Sequence, residues 1–206
     1  MDFFFSELKL KLNNYQGSEK ILSSSFTDKN NSKYFISPKE FRRAAVLCLI
    51  GKNKRGLNIL LTLRSKQLTN HPGQISFPGG KTNKKESFYN CALRETEEEI
   101  GLKINYINVL GELDMYLSGS NFLIKPVIGF AKQNYKISLN KKEVEKIIYF
   151  PINHLFKKEN ICSKYYIDKS RNKRMFYYDI TWQNYRIWGT TAIILVHLSE
   201  IISSVI

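Results

Sequence analysis

Cysteine, acidic side chains and long apolar runs are all scarce in this 206-residue chain. Its three cysteines, Cys48, Cys91 and Cys162, stand far apart with no CxxC pair, which excludes a disulfide framework and a thiolate zinc site. No uninterrupted apolar stretch approaches the ~18 residues of a membrane-spanning helix. The densest is Ala192-Ile-Ile-Leu-Val-His-Leu198. The opening Met1-Asp-Phe-Phe-Phe-Ser-Glu7 has neither the basic nor the apolar region of a secretory signal. These absences point to a reducing, cytoplasmic setting with no membrane partner. What the chain does have is core material. Hydrophobic residues make up 43% and aromatics 13%, enough for one domain with a short appendage.

Eighteen acidic residues face 32 basic ones, for a formal charge of +14. Such an excess invites a nucleic-acid reading, with a basic RNA-binding protein as the alternative to an enzyme. However, lysine outnumbers arginine 24 to 8, and Asn, Ile, Tyr and Phe are abundant, as A/T-rich codons favour. The cations are scattered in pairs such as Lys84-Lys85 and Lys141-Lys142. No RRM, KH or zinc signature accompanies them, so no stable nucleic-acid partner is expected.

Phe4, Leu8 and Leu12 predict an amphipathic helix over 3–15. Residues 16–40 are polar and read as a connector. The main domain is expected over 41–206, with 1–40 as helix and connector. Strands are predicted at 44–50 and 57–63 around a Gly51–Gly56 turn, then at 107–116, 122–130 and 145–150. Residues 174–180 and 183–188 suggest another sheet pair. Helices are predicted over 87–100, ended by Gly101, and over 190–203. The fold class is α/β without a regular βαβ repeat.

The chemistry concentrates in Gly80–Leu102. At about 100° per residue, Glu99 lies about 40° to one side of Glu95, Glu98 about 60° to the other, and Glu97 roughly opposite. Three carboxylates on one helix face repel one another unless a divalent cation sits among them. Their hard oxygens suit Mg²⁺ or Mn²⁺, which favour phosphate substrates. Arg94, four residues before Glu98, can pair with it and fix its direction. Pro78-Gly79-Gly80 allows close backbone approach. Phe88, Ala92 and Ile100 anchor the opposite side. Taken alone, Thr96-Glu-Glu-Glu99 fits a solvated acidic helix better than a metal site.

The spacing Gly80, Glu86, Arg94, Glu95, Glu98, Glu99 and Gly101 resembles the Nudix hydrolase signature. At ~6% usage per residue, seven fixed positions would coincide in about one chain in a million, which sets chance aside. Thr96 departs from the pattern by replacing an aliphatic residue. Upstream, Leu60-Leu-Thr-Leu-Arg64-Ser65 through Gly73 and Phe77-Pro-Gly-Gly80 resembles the motif of the coenzyme A pyrophosphatase branch. Thr69 stands where that motif has a second arginine, so one contact to an anionic part of the substrate is missing.

The resemblance implies a Nudix fold, a mixed β-sheet sandwiched between α-helices. It implies metal-dependent hydrolysis of nucleoside diphosphate derivatives, most specifically coenzyme A to 3′,5′-ADP and 4′-phosphopantetheine. Other Nudix substrates are ADP-ribose, a dinucleotide or a capped RNA end. By the same resemblance Glu95, Glu99, Glu98 and the Gly80 carbonyl are metal ligands for Mg²⁺ or Mn²⁺. Glu98, Arg94 and Glu95 carry the catalysis, and Arg64 and Gly79 touch a small-molecule nucleotide substrate. A monomer or homodimer is expected. A later carboxylate such as Glu143 is a further base candidate. His71, His154 and His197 read as ordinary loop or structural residues, and the aromatics Tyr177, Tyr178, Trp182, Tyr185 and Trp188 as strand packing.

Overall fold

A computed structural model describes residues 2–14, 21–23, 41–53, 56–132, 135–169 and 172–206. Most of the 16–40 connector and the tip of the Gly51–Gly56 turn lie outside them. The central strand is β2 (Arg42–Asn53). Its apolar run is continuous because both of its faces are covered. Ala45, Leu47 and Leu49 meet Cys91, Ala92 and Ile100 of helix α2 (Phe88–Ile100) in one cluster. Cys48 and Ile50 share the other cluster with helices α1 (Asp2–Asn14) and α3 (Gly189–Ser203). The sheet is therefore sandwiched between helices.

Among the described residues nine strands form that sheet. β1 (Ile21–Ser23) pairs parallel with β7 (Met115–Leu117), and β8 (Phe122–Ala131) runs parallel to β2. β3 (Gly56–Arg64) pairs antiparallel with β2, with β4 (Ile75–Ser76) and with β9 (Val144–Pro151). β5 (Gly79–Lys81) pairs antiparallel with β2, so the glycine loop is bound to the centre of the sheet. A second, three-stranded antiparallel sheet comprises β10 (Ile161–Asp168), β11 (Lys173–Trp182) and β12 (Tyr185–Trp188). Ile180 and Ile187 of this smaller sheet join the core cluster beneath α3.

Two sequence expectations are redrawn. The strand expected over 107–116 is split into β6 (Ile107–Glu112) and β7, both antiparallel to β8. The break lies opposite Pro126, which has no N–H to donate and instead accepts from the Leu113 N–H at 3.0 Å. In α1, Phe5 rather than Phe4 fills the fully buried position beside Leu8 and Leu12, stacking on Phe130 with ring centroids 4.1 Å apart. Among the described residues no helix is long and apolar enough to cross a membrane.

Candidate active site

Helix α2 starts and stops on sequence signals. The Ser87 hydroxyl accepts the Asn90 N–H at 3.1 Å, and Gly101 takes the left-handed conformation, donating its N–H to the Glu97 carbonyl. These caps set the rotation of the carboxylate face. Cys91, Ala92, Leu93, Thr96 and Ile100 point into the core. Thr96 is fully buried, and its hydroxyl donates to the Ala92 carbonyl at 2.7 Å, so its polar atom is satisfied within the helix.

Arg94 is the hub. Its Nε donates to Glu86 Oε1 at 2.8 Å and its Nη2 to Glu86 Oε2 at 3.0 Å. Its Nη1 donates to Glu95 Oε1 at 2.9 Å and to Glu98 Oε2 at 3.0 Å, and its Nη2 also reaches the Lys81 carbonyl at 3.1 Å. The Arg94–Glu98 pairing inferred from spacing is therefore present, within a larger network. The partner that spacing did not single out is Glu86, whose two-point contact with Arg94 holds its carboxyl down at about 2. The same Glu86 carboxylate accepts the Asn83 N–H at 2.8 Å, tying the loop to the helix.

The three face carboxylates differ in environment. Glu98 is the open one, with its side chain 55% exposed. Glu95 is half-buried against the glycine loop. A Cβ on Gly80 would overlap the Glu95 carboxylate, so any side chain there would displace that carboxylate. Burial pushes the Glu95 carboxyl up, Arg94 opposes this, and Glu98 and Glu143 add to it. Glu99 is 4% exposed and, among the described residues, its carboxylate accepts only the Gly79 N–H, at 3.3 Å. Burial pushes its carboxyl up to about 8, against the field of Arg64, with Glu143 and Glu95 adding repulsion. Gly79 itself has φ 153°, and a Cβ there would strike the Ala45 carbonyl.

The structure thus brings Arg64 and Glu143 to the carboxylate face. Arg64 Nη2 donates to the Asn70 carbonyl at 3.3 Å, and its buried Nε has no hydrogen-bond partner among the described residues. Glu143 is held by Asn140, whose side-chain amide donates to Glu143 Oε1 at 3.0 Å while its backbone N–H donates to the Glu99 carbonyl at 2.9 Å. Asn140 gave no signal in the sequence, because its role depends on a contact 41 positions away. Glu97 points elsewhere and pairs with Lys103 at 2.6 Å. Thr69 is exposed, and its hydroxyl accepts from its neighbour Asn70 at 3.4 Å. His197 meets the Tyr116 hydroxyl at 2.7 Å in the core, and His154 meets the Thr181 carbonyl at 2.9 Å. Cys91 is buried with its thiol pushed up to about 11, so it is no nucleophile at neutral pH.

Among the described residues no three His, Cys, Asp or Glu side chains are gathered tightly enough to encircle an ion. Two of the face carboxylates are turned to Arg94 and the third to the Gly79 N–H. The donor set nonetheless suits a hard divalent cation. Glu95 lies within electrostatic reach of Glu98, Glu99 and Glu143, and a carboxylate as buried as Glu99 has a single backbone donor.

Residues 40–169 match the family model of the NUDIX domain. The chain is 37% identical over 164 residues to a relative from Photorhabdus laumondii named as an uncharacterized Nudix hydrolase, NudL, covering 77% of this chain and 84% of that one. It is 33% identical over 175 residues to a NudL from Yersinia pestis, covering 84% and 85%. Among solved structures, an Ap4A hydrolase from C. elegans aligns over 54% of this chain and 81% of its own, with 18% identity and a TM-score of 0.46. By the family model and the identity to these relatives, the chain belongs to the Nudix hydrolases, metal-dependent enzymes that cleave nucleoside diphosphate derivatives.

Proposed function

We propose that this Nudix hydrolase cleaves the diphosphate of coenzyme A or its derivatives, giving 3′,5′-ADP and 4′-phosphopantetheine, with Mg²⁺ or Mn²⁺. The observation that carries the reading is the convergence of Arg64, from the branch-like upstream motif, with Glu99 of the helix. The two motifs are separate in sequence, yet Arg64 lies close enough to lower the affinity of Glu99 for its proton.

Glu95, Glu99, Glu98 and the Gly80 carbonyl would hold the metal. When bound, it neutralises the diphosphate and lowers the pKa of a coordinated water. The chain's own residues do the rest. Glu98, the most exposed of the three carboxylates, accepts a proton from the water that attacks phosphorus in line. Arg94 keeps Glu95 and Glu98 from splaying apart, and Glu86 keeps Arg94 in place. Arg64 presents positive charge to the diphosphate beside Glu99. Gly79 and Gly80 leave the loop bare, so that a phosphate can approach the backbone.

The test is a hydrolysis screen of the full chain with Mg²⁺ and with Mn²⁺, offering coenzyme A, ADP-ribose, dinucleotides and capped RNA, with products identified by mass. Cleavage of coenzyme A to the two named products in preference to the others supports the reading. Ready cleavage of ADP-ribose or a dinucleotide with coenzyme A untouched overturns it and leaves the family membership intact.

A further inference from the structure

Arg94 is matched by three carboxylates, but the cations at the start of β2 are matched by none among the described residues. Arg42 lies over the Phe122 ring with its guanidinium 4.1 Å from the centroid. Lys81 approaches the same ring, its ammonium at 5.6 Å. Strand register puts them together: Arg42 is paired with Phe122 across β2 and β8, and Ala44, two residues on, with Lys81 across β2 and β5. The arrangement is braced, because Arg42 Nη2 donates to the Ser120 carbonyl at 2.7 Å. A third cation, Arg43, lies over Phe88 at 4.2 Å near the start of α2. Both arginines and Lys81 are exposed, and no carboxylate among the described residues pairs with any of the three.

Two cations sharing one ring repel each other, and the ring offsets this only in part. A phosphate between them would remove the repulsion and accept from both, with the planar guanidinium suited to two-point contact. The place is also tied to the active site. Lys81 directly follows Gly80, against which Glu95 packs, and its carbonyl is held by Arg94. Arg64, by contrast, is engaged beside Glu99.

We propose that Arg42 and Lys81, gathered over Phe122, form a phosphomonoester subsite that takes a phosphate of the nucleotide half of the substrate, separate from the diphosphate being cleaved. This deepens the coenzyme A reading and rests on it, since the 3′-phosphate of coenzyme A is such a group.

The test is isothermal titration of the full chain with 3′,5′-ADP and with 5′-AMP, which differ by that one phosphate. The wild type should prefer 3′,5′-ADP on the order of tenfold, as expected for one charge-assisted phosphate contact. Arg42→Gln combined with Lys81→Gln should bring the ratio close to one, and Arg42→Lys should retain part of it. Circular dichroism and thermal melting check that each variant folds. No preference in the wild type, or a preference unchanged in the double variant, overturns the proposal. A preference that vanishes in the double variant, in a protein that leaves coenzyme A uncleaved, supports the subsite and overturns the coenzyme A reading alone.

Discussion

Two charge clusters in this molecule have opposite stoichiometry. On α2 a single arginine, Arg94, serves Glu86, Glu95 and Glu98. On the smaller sheet a single carboxylate, Asp179, serves Lys164 at 2.9 Å and Arg186 at 2.6 Å. Burial alone would raise the Asp179 carboxyl; hydrogen bonds from Arg186 and Lys164 outweigh it, and the net shift is downward. Glu95 and Glu99 shift the other way, because burial and like-charged neighbours exceed what Arg94, Arg64 and the Gly79 N–H supply. A surplus of buried cation-seeking oxygens is costly to a fold and useful to an enzyme. A satisfied carboxylate stabilises and does nothing more.

The largest test of this contrast is catalytic. On the proposed assignment, Glu95→Gln or Glu99→Gln should each lower kcat on the order of a thousandfold, since each would remove a charged ligand of the metal. The urea midpoint of the metal-free protein should stay level or rise, because a carboxyl whose charged form is disfavoured by burial has gone. Small, equal effects at both positions would reduce the face to a solvated acidic helix.

Asp179→Asn should do the reverse. Turnover should hold while stability falls by about 1–2 kcal/mol in urea denaturation, a modest figure because Lys164 and Arg186 are half-exposed and regain water. The same variant sharpens the pH behaviour. With its folded-state pKa lowered from the ordinary 3.8, Asp179 contributes stability above that value. The contribution is lost as pH falls through the folded-state value, because the unfolded chain takes up the proton first. Acid titrations of the wild type should therefore carry a slope below about pH 4 that the Asn variant lacks. Identical slopes would deny the pairing any role in stability.

The smallest expected effect is at Glu97, on the far side of the helix. Glu97→Gln should leave kcat within about twofold and cost no more than about 0.5 kcal/mol, the scale of an exposed pair with Lys103. A large loss of turnover there would mean that the helix is rotated from the orientation its caps impose.

The carboxylate face was legible in the sequence because one helix carries all of it, and 3.6-residue geometry follows from spacing alone. Helix ends were legible for the same local reason, through Ser87 and Gly101. The opposition of Glu97 to the face also followed from spacing, and the Lys103 pair accords with it. The remainder depended on tertiary register. Nothing local announces that Glu86 is the main partner of Arg94, that Asn140 bridges Glu99 and Glu143, or that Arg42 and Lys81 share a ring. β10 went unnoticed because Ser163–Ile167 is exposed throughout, so the alternation that marks a half-buried strand is missing. The burial of Thr96 accords with the aliphatic position it occupies in the signature, but the Ala92 carbonyl that satisfies its hydroxyl was not announced.

Glu99 carries one more consequence. Its carboxylate is bound to the Gly79 N–H, 20 residues earlier, and its carbonyl to the Asn140 N–H, later in the chain. A single residue therefore closes two loops of very different length. Neither loop can close until β5 has docked on β2 and the segment before β9 has returned to the helix end. Completion of the carboxylate face is thereby coupled to the native topology, and a partly folded chain would hold its carboxylates on a helix without the loop contacts they have in the fold.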